Sequence, residues 1–225
     1  KVTEKPNDGN SSSILFATEG VPVKNDQGEI VSYEGALGYA NTHFTYNTKL
    51  NANNYYAYIT STGIAGHGKI KTIRFDVFDM KEAGNTMVFD SLIFCNDYSL
   101  AQAMAYKRAT EQNNGADGDS LNDLPVNVPV FKGRGLLNMI NEYNTTSNRP
   151  ENYNYVEYDA TEDAVAIKAG ANKNDPWVYF GVSDVFGGMF SADTYKYIVV
   201  TYKAVLNTEG RKEAGYATTP SMMLY

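Results

Sequence analysis

The sequence predicts an all-β protein, an antiparallel β-sandwich with one short helix. Period-two alternation of apolar and polar residues recurs along the chain and is clearest in Ile70–Asp76 and Tyr195–Ala204. Strand-forming aromatics are abundant, with 18 Tyr and 10 Phe against a single Trp. Only Ser99–Arg108 sets apolar residues at helical spacing over more than a turn. A chain of 225 residues with 43% hydrophobic and 20% charged residues can bury a core, which argues against disorder of the whole chain.

Residues 1–13 are polar, with Pro, Gly and a Ser run, and read as a tail. Ile14–Ala17 opens the first strand. Glu19–Glu34 is turn-rich, and Asn25-Asp26-Gln27-Gly28 is its clearest reversal. Thr42–Tyr46 and Tyr55–Thr60 follow as short strands. Ile70–Cys95 then reads as a core hairpin: Ile73, Phe75 and Val77 alternate with polar neighbours, a Gly-Asn turn intervenes, and Thr86–Cys95 is apolar on both faces. In that second strand Met87, Phe89 and Ile93 are expected on one face, and Val88, Leu92 and Phe94 on the other.

Ser99 is placed to cap a helix of two to three turns carrying Leu100, Ala103, Met104 and Lys107. Thr110–Asp123 has the strongest linker composition in the chain. It divides a half at 14–110 from a half at 126–225, with 111–125 between them. Val126–Phe131 resumes an apolar rhythm, and Gly135–Glu142 has room for a short turn of helix. Tyr153–Tyr158, Ala164–Ala169, Trp177–Val182 and Tyr195–Ala204 read as strands, and Met222–Tyr225 ends the chain on an apolar run.

A net charge of -7 argues against nucleic acid and anionic membrane surfaces as partners. No apolar run reaches the roughly 20 residues that cross a bilayer. With neither an initiator Met nor a signal peptide, Lys1 reads as a processed or excised start. Cys95 is the single cysteine, which rules out an intramolecular disulfide and a cysteine metal cluster; at a strand end it reads as a buried, inert thiol. The sequons at Asn10 and Asn144 read as chance in an Asn-rich chain.

Catalytic motifs are sparse. His43 and His67 lie outside any metal-ligand spacing, and the chain has no Gly-x-Ser-x-Gly elbow and no P-loop. Asp76, Asp79 and Asp90 are the carboxylates from which a glycosidase pair is conceivable, but surface carboxylates solvated beside Arg74 or Lys71 are the commoner use. Asp117, Asp119 and Asp123, with Asn122, offer hard oxygen ligands suited to calcium, the one cofactor considered; a solvated acidic linker explains the same residues. Trp177, Tyr179, Tyr55, Tyr56 and Tyr58, with Tyr153, Tyr155 and Tyr158, could supply a sugar-stacking face, although each is also an ordinary strand former.

The run VEYDATEDAVAIKAGANKNDPWVYFGVSDVFGGMFSADTYKYIVVTYKA is similar to the opening half of jelly-roll, carbohydrate-binding-like repeats of large Gram-positive bacterial secreted and cell-surface proteins. The run HGKIKTIRFDVFDMKEAGNTMVFDSLIFCNDYSLAQA resembles the closing half of the same module. The halves come in inverted order. Circular permutation, excision of one period from a tandem array, or completion by strand exchange with a neighbour each accounts for that.

The resemblance implies a jelly-roll sandwich that is extracellular and non-catalytic, with a structural calcium in modules of this type. Its ends, Ile14, Leu15 and Phe16 together with Met222, Met223, Leu224 and Tyr225, are expected to be assembly strands that pair with copies of the chain. A carbohydrate-binding module with glycans as partners is the alternative, and a glycoside hydrolase the weaker one.

Overall fold

The computed structural model describes residues 11–18, 20–34, 40–45, 54–62, 67–76, 86–114, 121–122, 124–125, 128–142, 155–168, 177–181 and 191–205. The backbone alone is described for 11–18, 40–45, 71, 72, 76, 141, 142, 155, 177 and 204. In chain order the strands are β1 (Ser11–Thr18), β2 (Val21–Lys24), β3 (Ile30–Glu34), β4 (Ala40–Thr45), β5 (Tyr56–Ser61), β6 (Ile70–Asp76) and β7 (Thr86–Cys95). After helix α1 (Tyr98–Asn114) come β8 (Val130–Lys132), helix α2 (Gly133–Glu142), β9 (Tyr155–Asp159), β10 (Ala164–Lys168), β11 (Trp177–Gly181) and β12 (Tyr197–Val205).

Two antiparallel sheets face each other. One has the order β11-β6-β1-β4; the other runs β5-β12-β7-β10-β9, with β8 also on β7. Both mix strands from 14–110 with strands from 126–225. Their inner faces meet in one apolar cluster, centred on Phe75 of β6, Phe180 of β11 and Phe89 of β7. The Phe75 ring lies edge-on to Phe89 at 4.9 Å and to Phe180 at 5.0 Å between centroids, the geometry that aromatic quadrupoles favour. The fold is an all-β sandwich, as the alternation predicts.

The central hairpin is corrected. β6 and β7 do not pair with each other: β6 lies between β1 and β11, and β7 between β12 and β10. The two strands with the strongest core signal face each other across the sandwich. Alternation identifies a buried face but not the sheet to which it belongs.

The facing of β7 is also corrected, because the strand carries a bulge. Thr201 of β12 pairs Ser91, but the next residue, Tyr202, pairs Phe89, so Asp90 is the extra residue. On the other edge of β7, β10 covers Thr86–Phe89 and β8 covers Ser91–Ile93, again leaving out Asp90. The bulge shifts the alternation by one residue. Met87, Phe89, Leu92 and Phe94 therefore all enter the inner cluster, and Ile93 and Cys95 turn outward.

The helix is longer than predicted and has a companion. Asp97, and not Ser99, caps α1, its Oδ1 accepting the Leu100 N–H at 2.8 Å. The helix continues into the expected linker as far as Asn114, because Arg108 and Asn113 have tertiary partners, Asp90 and Tyr55, that a linker composition cannot announce. Ala101, Met104, Ala105 and Ala109 lay α1 over Ile93, Cys95, Val199 and Ala57 on the outer face of the larger sheet. α2 inserts Leu136, Met139 and Ile140 into the inner cluster. No helix among the described residues is long and apolar enough to cross a membrane.

β1 begins at Ser11, within the expected tail, and both its edges are paired inside the chain, to β4 from Ser11 to Phe16 and to β6 from Ser13 to Thr18. Ile14, Leu15 and Phe16 thus lie in an interior strand and offer no edge to a neighbour, contrary to the assembly role expected of them. Met222, Met223, Leu224 and Tyr225 lie outside the described residues.

Candidate functional site

The feature that the core does not explain is a two-stranded arm. β2 and β3 pair only with each other among the described residues, in the connection between β1 and β4, which are themselves neighbours. The arm is thus an excursion from the β1–β4 connection that joins neither of the two larger sheets. Its turn is built by Asn25, whose Oδ1 accepts the Gln27 and Glu29 N–H groups at 3.0 and 2.9 Å, and by Gly28 at φ +81°, a left-handed conformation. The predicted reversal is in place.

Apolar side chains on the arm face solvent. Val21 is 45% exposed, Ile30 52%, Val31 60% and Tyr33 52%. Apolar exposure concentrated on one short projection is a mark of an interaction site. Register sorts the residues. Val21 faces Glu34, Pro22 faces Tyr33, Val23 faces Ser32, and Lys24 faces Ile30, with Val31 the bulged residue. Directly opposed residues share a face. One face thus holds Val21, Val23, Ser32 and Glu34; the other holds Pro22, Lys24, Ile30 and Tyr33. Both edges resist strand addition, since Pro22 has no N–H to donate and the bulge at Val31 breaks the ladder of β3. Sequence reasoning registered this stretch only as turn-rich; the available signal was the apolar VPV and IVSY runs on either side of an Asn-x-x-Gly reversal.

The root of the arm is held by Gly20, His67, Gly68, Ser191 and Asp193. Gly20 N–H donates to the His67 carbonyl at 3.0 Å, and Asp193 accepts from Gly68 N–H at 2.9 Å. The other Asp193 oxygen lies 2.7 Å from His67 Nδ1. The His67 bond, then the Gly68 amide, hold the Asp193 carboxyl below its ordinary value. His67 is thus a structural partner at a corner. His43 lies in β4.

Asp90 is committed to an ion pair. It is fully buried under α1, where Arg108 Nε donates to its Oδ2 at 2.7 Å and Nη2 to its Oδ1 at 2.6 Å, while the Ser91 hydroxyl donates to Oδ2 at 2.6 Å. Burial opposes the guanidinium charge, but the Asp90 bonds and charge, with Glu111 adding, raise the Arg108 pKa above its ordinary value. Asp76 lies in β6 paired with Ser13 and Trp177, and Asp79 lies outside the described residues.

The aromatic candidates separate. Tyr55 is buried and donates its hydroxyl to Glu162, whose oxygens also hold Lys203 Nζ at 2.5 Å; burial first, then Glu162, pushes the Tyr55 hydroxyl well above its ordinary pKa. A ring committed in this way is not presented for stacking, so Tyr55 is removed from the sugar-binding set. Tyr56 and Tyr58 are half-buried against the inner cluster, near Tyr202, with the Tyr56 and Tyr202 rings 6.4 Å apart. Thr60, on the same face of β5 by alternation, has a buried hydroxyl with no hydrogen-bond partner among the described residues. Trp177 and Tyr179 are on β11, in the other sheet, so the structure does not gather the candidates into one face. Tyr155 and Tyr158 are in β9, where Tyr158 donates to Asp163 at 2.8 Å and lies under the Arg134 guanidinium; Tyr153 is outside the described residues.

Asp117, Asp119 and Asp123 also lie outside the described residues. Among the described residues, no group of three or more His, Cys, Asp or Glu side chains is arranged to hold a metal ion. Cys95 is buried, and burial, with Asp97 adding, pushes its thiol up to about 12. Comparison with family models, curated proteins and solved structures finds no match.

Proposed function

We propose that this chain is a non-catalytic, extracellular structural or adhesive module, jelly-roll-like in design, that associates with copies of itself. The observation that carries this reading is the projecting arm, which places Ile30, Val31 and Tyr33 in solvent on a two-stranded ribbon where the fold gains nothing from them. The arm is given the assembly role expected of Ile14, Leu15 and Phe16, because β1 is paired on both edges within the chain. The commitment of Asp90 to Arg108 removes one of the three carboxylates on which a hydrolase would be built. Sedimentation equilibrium over a wide concentration range tests the reading. The weight-average mass should rise with concentration; a chain that stays at 24.8 kDa throughout would overturn it.

Glycan binding is the second reading. What favours it is the pair Tyr56 and Tyr58, two residues apart on one face of β5 and only half-buried, since accessible ring faces suit a pyranose. A glycan array probed with Tyr56→Ala and Tyr58→Ala chains separates the readings: sugar binding that both variants abolish would establish it, and an array without signal would end it.

A further inference from the structure

We infer that the partner of the arm is the arm of a second copy, stacked face to face in the opposite direction, with Lys24 of one copy meeting Glu34 of the other. This rests on the self-association reading and specifies its contact. With both edges of the ribbon guarded by Pro22 and by the bulge at Val31, an incoming chain has to meet a face.

The two faces differ in charge. One carries Glu34 among Val21, Val23 and Ser32, and the other carries Lys24 among Pro22, Ile30 and Tyr33. Glu34 lies at the root of the arm and Lys24 beside its turn, so charges of opposite sign occupy opposite ends of opposite faces. A half-turn about the normal to the ribbon, with a shift of one sheet spacing of ~10 Å, lays the Glu34 face of one arm on the Lys24 face of the next. β2 of one copy then lies over β3 of the other, with tip over root. Lys24 falls on Glu34, Ile30 on Val21, Tyr33 on Val23, and Pro22 on Ser32. The one facing pair of charges is opposite in sign, Ile30 and Tyr33 meet valines, and Pro22 meets Ser32.

The same operation sends the two sandwich bodies to opposite ends of the stacked arms, where they do not collide. The contact area is that of a transient interface, and dimerisation should be weak.

Charge reversal tests this without touching the core, since Lys24 and Glu34 are both exposed. Sedimentation equilibrium is run on the unaltered chain, on Lys24→Glu, on Glu34→Lys and on an equimolar mixture of the two variants. Each variant alone should dimerise about tenfold more weakly, a repulsion having replaced an exposed attraction. The mixture should recover dimer, because the Lys24→Glu chain still offers Glu34 to the intact Lys24 of the other. Variants that dimerise as well as the unaltered chain, or a mixture that stays monomeric, would overturn the stacked arms while leaving self-association standing. An unaltered chain that never dimerises would remove both.

Discussion

Arg108 of α1 and Asp90 of β7 form a fully buried, two-point ion pair, and Asp90 is the residue that the β7 bulge inserts. An irregularity in the sheet is thus matched to one turn of the helix above it. The underside of α1 is otherwise mostly alanine, which buries little area per residue, so the pair fixes where the helix sits. Arg108→Met should lower stability by about 3–5 kcal/mol, since Asp90 is left charged and buried. Arg108→Met combined with Asp90→Leu should recover part of that loss. Urea unfolding of the three chains checks both expectations.

Gly68 and Gly28 share a positive φ, +82° and +81°, but differ in surroundings. A Cβ on Gly68 would stand 2.2 Å from the Gly20 carbonyl oxygen, whereas one on Gly28 meets nothing within 4 Å. Gly28→Ala should therefore cost only the left-handed strain, about 1–2 kcal/mol. Gly68→Ala should cost more and should loosen the root of the arm. Thermal unfolding ranks the two, and amide exchange at Gly20 locates the second effect.

Asn113 holds the start of β5 to the end of α1, accepting from Tyr55 N–H at 2.6 Å and donating to the Tyr55 carbonyl at 2.9 Å. Asn113→Ala should cost about 1–3 kcal/mol, as two backbone groups lose their partners. Amide exchange should quicken in the last turn of α1 and remain slow around Ala101.

The pH dependence has an alkaline limb. Cys95, raised by burial to about 12 from 9.0, and Tyr55 and Tyr202, raised from 10.0 chiefly by burial, all hold their protons longer when folded. Raised values stabilise fully below the unfolded pKa, and the contribution disappears as pH climbs toward the folded one. Through these groups stability should hold from neutral pH to about pH 9 and fall steeply above it, as thermal unfolding in a pH series would record. Maleimide at pH 7.5 should leave native Cys95 unmodified and label it in urea.

By itself the sequence determined the class of fold. Alternation and aromatic content identify the strands because side-chain direction reverses at every residue, and a half-buried strand must show that period. Most boundaries fall within a few residues of those expected, as at β5, β10 and β12. The buried state of Cys95 and the reversal at Asn25–Gly28 were equally legible, because local chemistry decides them.

Only the tertiary structure decided which strands share a sheet, that β1 is interior, that Asp90 is a buried ion-pair partner, and that the apolar residues of β2 and β3 are left in solvent. Each of these depends on contacts between residues far apart in the chain. A single strand shows the same alternation whether its neighbour is β7 or β11. Likewise an aspartate in an apolar run gives no sign of the arginine, 18 residues further on, that α1 lays over it.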